Sequence, residues 1–584
     1  MPMLFMDLCK VLARIEKTSK RLEMMSLFQE IFQSDPNELV EDDEPIHDKL
    51  IYLCQGKLHP DWHGMPELNM AKKMVLKATA RAVGVSPSRI TEILKKSGDL
   101  GNTMGYLKKK KQQSTLFGKE EPMTITTTWN ELERIANATG ENSQSKKMRI
   151  LSGILARCSP LEAKYIGRFI ESKMRLGMAD LTMIDAISRI FASDDEQQKE
   201  CKAILERGYN IYPDLGTIVK KAFIEGMKSI KQISPVFGIP IRPMLAQRLE
   251  ASAGFIDKHG GSFAAEYKLD GERLQIHKDG KDIILFSRRL ENITNQFPDA
   301  IRLIQDCIKP VQAILDAEIV AINPETGKID TFQVLMQRKR KHDIAAFMQE
   351  VPIRIYIFDA MMLDGRSLLE EPYLKRREIV ENSIDDEKCD GNIVAVEQSI
   401  INNHDELIAF FERAIMEGTE GLVTKSIAPD STYQPGARGW LWIKLKSLAD
   451  GKLPDTLDLA IIGVNWGEGR RAGRFGSFFL GAMNHETGNL EMITKVSSGI
   501  TDELADILYN DLNTVEDIPP NVISVEQPDK WVIPTMIVEI AGDQVTSSDG
   551  STTGFSIRFP RILRLRKDKK IEDISTVDDI KQMA

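Results

Sequence analysis

The sequence predicts a multidomain protein: an all-α N-terminal region, a central α+β region and a C-terminal small β-barrel. Three observations predict it. At 584 residues the chain is too long for one hydrophobic core. Its apolar periodicity changes from helical to strand-like near Ile233-Ser-Pro235. Beyond Leu448-Ala-Asp-Gly-Lys-Leu-Pro454 it becomes a succession of short strands with glycine turns. The boundaries are placed at 1–235, 236–448 and 449–584.

The first region earns its helices from apolar groups recurring between Phe5 and Phe32, and from Leu161, Ala163, Ile166, Phe169 and Ile170. Between Gly101 and Met123 the chain is polar and basic, which predicts an exposed loop. Prolines in Gly238-Ile-Pro-Ile-Arg-Pro243 punctuate the boundary. In the central region Ile353-Arg-Ile-Tyr-Ile-Phe358 and Gly421-Leu-Val-Thr-Lys425 read as strands, and Asn403 to Met416 as a helix. The last region opens with the strand Asp458-Leu-Ala-Ile-Ile-Gly-Val464. A glycine-rich hairpin from Gly467 to Gly476 follows, then Ser477-Phe-Phe-Leu-Gly481. No GxxxxGK[ST] loop occurs there, so nucleotide binding has to rest on other residues.

Composition is that of a folded globular protein, 42% hydrophobic and 28% charged. No apolar run reaches the ~20 residues that span a bilayer, and Met1-Pro-Met-Leu-Phe-Met-Asp7 lacks a basic n-region, so neither membrane nor secretion is expected. The cysteines at 9, 54, 158, 201, 307 and 389 form no CxxC pair, which suits a reducing cytoplasm and excludes a cysteine-only zinc site of usual spacing. The net charge of −9 is unfavourable for binding polyanions, yet cations cluster at Lys108–Lys111, Arg338–Lys341 and Arg558–Lys570.

Chemistry concentrates in Glu266-Tyr-Lys268-Leu-Asp270-Gly271-Glu272, followed at once by Arg273. A lysine between acids, at a strand–turn–strand break beside a glycine that lets backbone approach a ligand, is well placed to be a nucleophile. Its partners follow in order: Phe286-Ser-Arg288-Arg289, Leu315-Asp-Ala-Glu318, Tyr356-Ile-Phe358-Asp359, Glu420-Gly-Leu-Val-Thr-Lys425, Arg438, Trp442-Ile-Lys444-Leu-Lys446 and Arg558-Phe-Pro-Arg561-Ile-Leu-Arg564-Leu-Arg566-Lys-Asp-Lys569. The series resembles the covalent nucleotidyltransferases, and among them the ATP-dependent DNA ligases of archaeal and eukaryotic replicative type. Arg175-Leu-Gly177-Met, Arg242-Pro-Met-Leu-Ala-Gln247, Phe332-Gln and Arg338-Lys-Arg340 extend the resemblance over nearly the whole chain.

The resemblance implies an all-α DNA-binding domain, an α+β adenylation (nucleotidyltransferase) domain and a C-terminal OB-fold. It implies an enzyme that seals nicks in duplex DNA during replication, repair and recombination, through a lysyl-AMP and then a DNA-adenylate. Lys268 would be the nucleophile. A free lysine is neutral only about once in 2,500 at pH 7, so neighbouring cations or desolvation must help, by roughly 4–5 kcal/mol. Glu266 would hydrogen-bond the adenine of ATP and Phe358 stack on it. Arg273 and Arg288 would reach ribose and phosphates, Arg438 would lie near the nucleotide, and Lys444 and Lys446, sharing one strand face, would meet the α-phosphate. Glu318 and Glu420 are the candidate Mg²⁺ ligands, Glu318 also a ribose contact. Arg558, Arg561, Arg564, Arg566 and Lys569 would meet nucleotide or DNA phosphates, with Arg564 and Arg566 outward and Leu563 and Leu565 inward.

Gln113, Leu116 and Phe117 resemble the short sliding-clamp (PCNA-type) motif of archaeal ligases. The implied protein is a monomer, cytoplasmic and associated with the nucleoid in a prokaryote. An RNA ligase or capping-type nucleotidyltransferase is the alternative; it would share the lysine motif but not the long helical region. A non-catalytic DNA-binding scaffold would not need the nucleotide-contacting residues.

Overall fold

The computed structural model describes the chain except residues 111–121, 250–253, 331, 333, 337–350, 447–455, 468–470, 486, 543, 549–550 and 584. Two compact units emerge, one of residues 1–68, 123–137 and 176–449, the other of 69–122, 138–175 and 450–584. Each takes part of the helical N-terminal stretch and one β-rich part.

The helices form where the apolar spacing places them. Phe5–Ile15 buries Leu8, Leu12 and Ile15 on one side. Pro160–Ile170 starts at a capping box, Ser159 bonding the Glu162 amide and Glu162 the Ser159 amide, with Pro160 at the first turn. Helices end at Met227–Lys231, and the first strand of the next region starts at Leu245. One expectation fails: residues from Leu100 to Lys110 form a helix rather than an exposed loop. Lys108 is buried, its Nζ donating to the carbonyls of Leu155 (3.0 Å) and Ala156 (2.8 Å) at the end of helix Ser143–Arg157. It caps that helix and is withdrawn from the basic patch. Gln113, Leu116, Phe117 and Arg338–Lys341 lie outside the described residues.

Two sheets of the first unit hold the lysine motif. Their strands are β1 (Leu245–Arg248), β2 (Phe263–Tyr267), β3 (Glu272–Asp279), β4 (Asp282–Ser287), β5 (Gln312–Ala321), β6 (Ile353–Leu363), β7 (Ile393–Ala395), β8 (Gln398–Ile401), β9 (Leu422–Ser426) and β10 (Arg438–Leu445). One sheet runs β7-β6-β5-β3-β4, the other β8-β2-β9-β10-β1. Alternation sorts their faces. In the first sheet Leu274, Ile276, Leu315, Ala317, Ile319, Ile355 and Ile357 pack into one core. In the second, Phe263, Ala265, Leu422, Ile443 and Leu445 pack with Leu407, Phe410 and Phe411 of helix His404–Met416. The intervening positions carry the polar and aromatic groups: Arg273, Asp316, Glu318 and Phe358 on one sheet, and Glu266, Lys425, Trp442 and Lys444 on the other.

In the second unit, Leu457–Trp466 pairs with Phe475–Asn484, and that strand with Asn489–Val496; Ile537–Ala541 joins Leu457–Trp466 to Arg561–Leu565. Leu459, Ile461, Phe478, Leu480, Ile493, Ile540 and Ile562 fill its interior. Here the expected alternation slips. Arg564 opposes Glu539 while Ile562 opposes Ile540, which leaves Leu563 as the extra residue of a β-bulge. Ile562 therefore points inward and Leu563 stands 46% exposed. Arg566, expected outward, is half-buried.

Candidate active site

The lysine motif links the sheets. β2 and β3 flank it but do not pair with each other; each belongs to a different sheet. The Lys268 amide donates to the Gly421 carbonyl and the Glu420 amide to the Lys268 carbonyl, both at 2.8 Å. This reciprocal pair holds the two segments in register. Lys268 Nζ consequently lies 2.5 Å from Glu420 Oε2, and Lys446 Nζ 2.9 Å from the same oxygen.

Two glycines make the approach possible. A Cβ on Gly271 would stand 2.3 Å from the Ile319 carbonyl oxygen, and one on Gly421, at φ +128°, 2.1 Å from that of Leu445. The glycine of the motif thus admits the protein's own backbone, where the sequence had suggested approach to a ligand.

Acids and bases are poised unequally here. Burial resists ionisation of Glu420, yet the Lys268 and Lys446 ammonium groups overcome it and hold the carboxyl below its ordinary value. Burial, then the neighbouring Glu420 charge, pushes the Asp270 carboxyl up. Burial also raises Glu318 to about 7, although Lys268 and Arg273 pull the other way. Lys444 is pushed down by burial and by the surrounding cations Lys446, Arg438, Lys268 and Arg248. Arg288 is lowered by burial and by Arg273 and Arg438. Arg273, Arg288, Arg438, Lys444 and Lys446 are therefore brought together with Lys268 and Glu318.

A second cluster lies behind them. Arg273 pairs with Asp316 at 2.6 Å and donates to the Met244 carbonyl at 2.8 Å, and the Tyr433 hydroxyl donates to Asp316 at 2.7 Å. Glu266 is 2% exposed. It accepts from the Tyr373 hydroxyl and meets Lys425 Nζ at 2.7 Å and the Arg377 guanidinium at 3.5 Å. Phe358 is the extra residue of a β-bulge, since Ile357 opposes Ala317 while Asp359 opposes Asp316. The bulge turns its ring toward the site, where the Arg273 guanidinium lies 5.2 Å from the ring centre. Asp270, Asp316, Tyr433, Tyr373 and Lys425 were missed as site residues. Asp316 could have been found, being two positions before Glu318 on the same strand face.

The C-terminal cations divide into two sorts. Arg564 bonds Glu539 at 2.5 Å, Arg566 pairs with Asp458 at 2.9 Å and with Asp568 at 2.7 Å, and Lys569 reaches Asp458 at 2.7 Å. Arg558 and Arg561 are exposed and enter no ion pair among the described residues. Those residues also contain no cluster of three or more His, Cys, Asp or Glu arranged to hold a metal, and no helix long and apolar enough to cross a membrane. All six cysteines are buried and none forms a disulfide.

A half-buried lysine beside a carboxylate, ringed by cations and backed by an aromatic wall, is equipped to take a phosphoryl-linked group onto nitrogen. Comparison with known proteins shows the family. The profile of the ATP dependent DNA ligase domain matches residues 243–446, that of the DNA ligase N terminus 4–188, and that of the ATP dependent DNA ligase C terminal region 471–569. A DNA ligase of Hyperthermus butylicus is 39% identical over 100% of this chain and 97% of its own. One of Acidianus ambivalens is 40% identical over 98% and 95%. The solved structure named Pmar-Lig_PreS3 shares the fold, with a TM-score of 0.54 at 16% identity over 96% of this chain and 99% of its own. The chain belongs to the ATP-dependent DNA ligase family.

Proposed function

We propose that the activity of this ligase runs through Lys268. Its nitrogen attacks the α-phosphorus of ATP, forming a lysyl-AMP phosphoramidate and releasing pyrophosphate. AMP then passes to the 5′-phosphate of a nick, and the 3′-hydroxyl displaces it to close the strand. The observation that carries the reading is the junction where backbone pairing sets Lys268 Nζ 2.5 Å from Glu420, beside Lys446. Glu420 fixes the direction of the nucleophile. Lys444, Lys446, Arg288 and Arg438 supply positive charge where the phosphates gather charge in transfer. Arg273, braced by Asp316 and Tyr433, faces the ribose side, and Glu266 and Phe358 form the wall that receives the adenine.

Mg²⁺ suits the same site. Among the described residues the Glu318 carboxylate makes no hydrogen bond or direct ion pair, and burial, helped by the nearby Asp316 and Glu420 charges, raises it. Glu318 and Glu420 are the groups that would hold the ion, which when bound offsets phosphate charge and assists the pyrophosphate leaving group.

Three sequential domains serve the reaction in this reading: helical residues 1–235 grip duplex DNA, 236–448 carry adenylation, and 449–584, read as an OB-fold, close over nucleotide and then DNA. The substrate is nicked duplex DNA, and the ligase works as a monomer with a sliding clamp as partner, on the nucleoid of a prokaryotic cytoplasm. Incubation with α-labelled ATP followed by nicked DNA, with nicked RNA as control, tests the reading. It requires a labelled protein adduct that is discharged on sealing the DNA nick. Label moving preferentially to RNA would favour the RNA-directed alternative.

A further inference from the structure

Lys425 is 1% exposed and stands opposite Ala264, four residues before Lys268. Its Nζ sits 2.7 Å from Glu266 Oε2 and donates to the Phe358 carbonyl at 2.8 Å. The rings of Trp442, Tyr373 and Phe358 surround it at 4.5, 4.7 and 5.2 Å. A buried ammonium persists where carboxylate, carbonyl and ring faces replace its water shell. These contacts tie together β2, β6 and β9, and so both sheets. It also faces Asp359 at 3.8 Å, a carboxylate held mainly by Arg376 at 2.7 Å, but its two closest polar contacts, Glu266 and Phe358, are the two groups assigned above to the base.

Tyr373 completes the hold from the other side. Its hydroxyl donates to Glu266 and accepts from Gln398 Nε2 at 2.6 Å. Gln398 stands opposite Glu266 on the neighbouring strand β8. Arg377, which meets Glu266 at 3.5 Å, is itself anchored on the Val396 carbonyl at 2.7 Å. Glu266 is thereby confined on both oxygens and stays an acceptor. An ionised carboxylate accepts from a purine 6-amino group and repels a 6-oxo group, so its orientation is a means of choosing between them.

We propose that Lys425 and Tyr373 are positioning residues that set base selectivity: they keep Glu266 aimed, and Lys425 also fixes Phe358 beside it. The proposal rests on the reading of Glu266 and Phe358 as the base wall. Neither Lys425 nor Tyr373 need touch the nucleotide. The compact ammonium matters because it serves a carboxylate and a carbonyl within one aromatic enclosure, a task that suits lysine better than the broad arginine fork.

The test compares ATP with inosine triphosphate, which differs by a 6-oxo group, as donors for the protein adduct. The full-length Lys425→Met enzyme should raise KM for ATP about tenfold or more, with kcat within about threefold, and cut the ATP-to-ITP ratio of kcat/KM at least about tenfold. Tyr373→Phe, which keeps the ring and the fold, should move the ratio the same way by a smaller factor. Adding Lys425→Met to Glu266→Gln should lower the ratio no further than Glu266→Gln does alone. A folded Tyr373→Phe or Lys425→Met enzyme with the parent ratio, while Glu266→Gln collapses it, overturns the proposal. A fall in kcat with the ratio intact overturns it too. If Glu266→Gln itself leaves the ratio unchanged, it is the underlying assignment of Glu266 to the base that fails.

Discussion

Lys268 reaches Glu420 because the ends of β2 and β9 exchange backbone hydrogen bonds, so its placement survives changes in its own side chain. Lys268→Ala should therefore abolish the covalent protein–AMP adduct while leaving nick affinity nearly intact, measured by labelled-ATP transfer and by titration of nicked DNA. Sealing of a pre-adenylated nick should persist at a reduced rate, since that step needs alignment and charge but no nucleophilic nitrogen. An adduct surviving in the variant would remove Lys268 from its role.

A second residue controls acid stability. His277 is fully buried, its Nε2 2.8 Å from Gln275 Oε1 and its Nδ1 accepting the Gly238 amide at 3.2 Å. Both ring nitrogens are satisfied only when the ring is neutral, and burial lowers its pKa from 6.5 to about 3. Between those values the unfolded chain binds a proton that the folded chain excludes. The stabilisation is thus complete above pH 6.5 and declines as pH falls toward 3, by up to about 1.4 kcal/mol per pH unit. Thermal unfolding between pH 7 and 4 should show a shallower loss for His277→Gln than for the parent. Parallel curves would exclude His277 as the source.

Among the elements, the C-terminal strand Arg561–Leu565 shows what the sequence could and could not disclose. Its basic content and β character were legible, as were the helix read from Asn403 to Met416, which forms from His404, and the strand read from Ile353 to Phe358, which runs on to Leu363. The bulge at Leu563 was not, because a bulge is decided by the partner strand, and period-two alternation read from one strand cannot show it. The same limit hid the bulge at Phe358 and the separation of β2 and β3 into different sheets. Lys108 was misread for a related reason: a basic run shows charge, but only packing reveals an ammonium spent on two carbonyls. Motif residues around Lys268 were legible individually; supports such as Tyr433 and Tyr373 were not, being distant in the chain and common in type. The ion pairs of this strand separate two outcomes. Arg566→Ala deprives Asp568 of its partner, leaves Asp458 with Lys569 alone, and should lower the melting temperature. Arg561→Ala breaks no ion pair and should leave melting unchanged while reducing the salt slope of nick binding by about one. The reverse pattern would mean that Arg566, not Arg561, is the phosphate contact.

At the scale of the whole molecule, a protein of net charge −9 must hold a polyanion through local fields that salt readily screens, so sealing in dilute conditions profits from a tether. The sliding clamp proposed as partner would supply one through the sequence after Lys110. In Gln113-Ser-Thr-Leu116-Phe117 a glutamine precedes an apolar and an aromatic residue in an otherwise polar, basic stretch. Leu116 and Phe117 are suited to fill an apolar pocket on a sliding clamp while Gln113 hydrogen-bonds at its rim. Such a contact raises the local concentration of ligase at a nick without altering the chemistry at Lys268. Replacing Leu116 and Phe117 by alanine should accordingly abolish stimulation of nick sealing by the clamp and leave clamp-free sealing unchanged, with stimulation growing in the parent enzyme as salt weakens direct binding. Equal stimulation of parent and variant across that salt range would show that the segment serves its own protein and that the tether, if one exists, lies elsewhere.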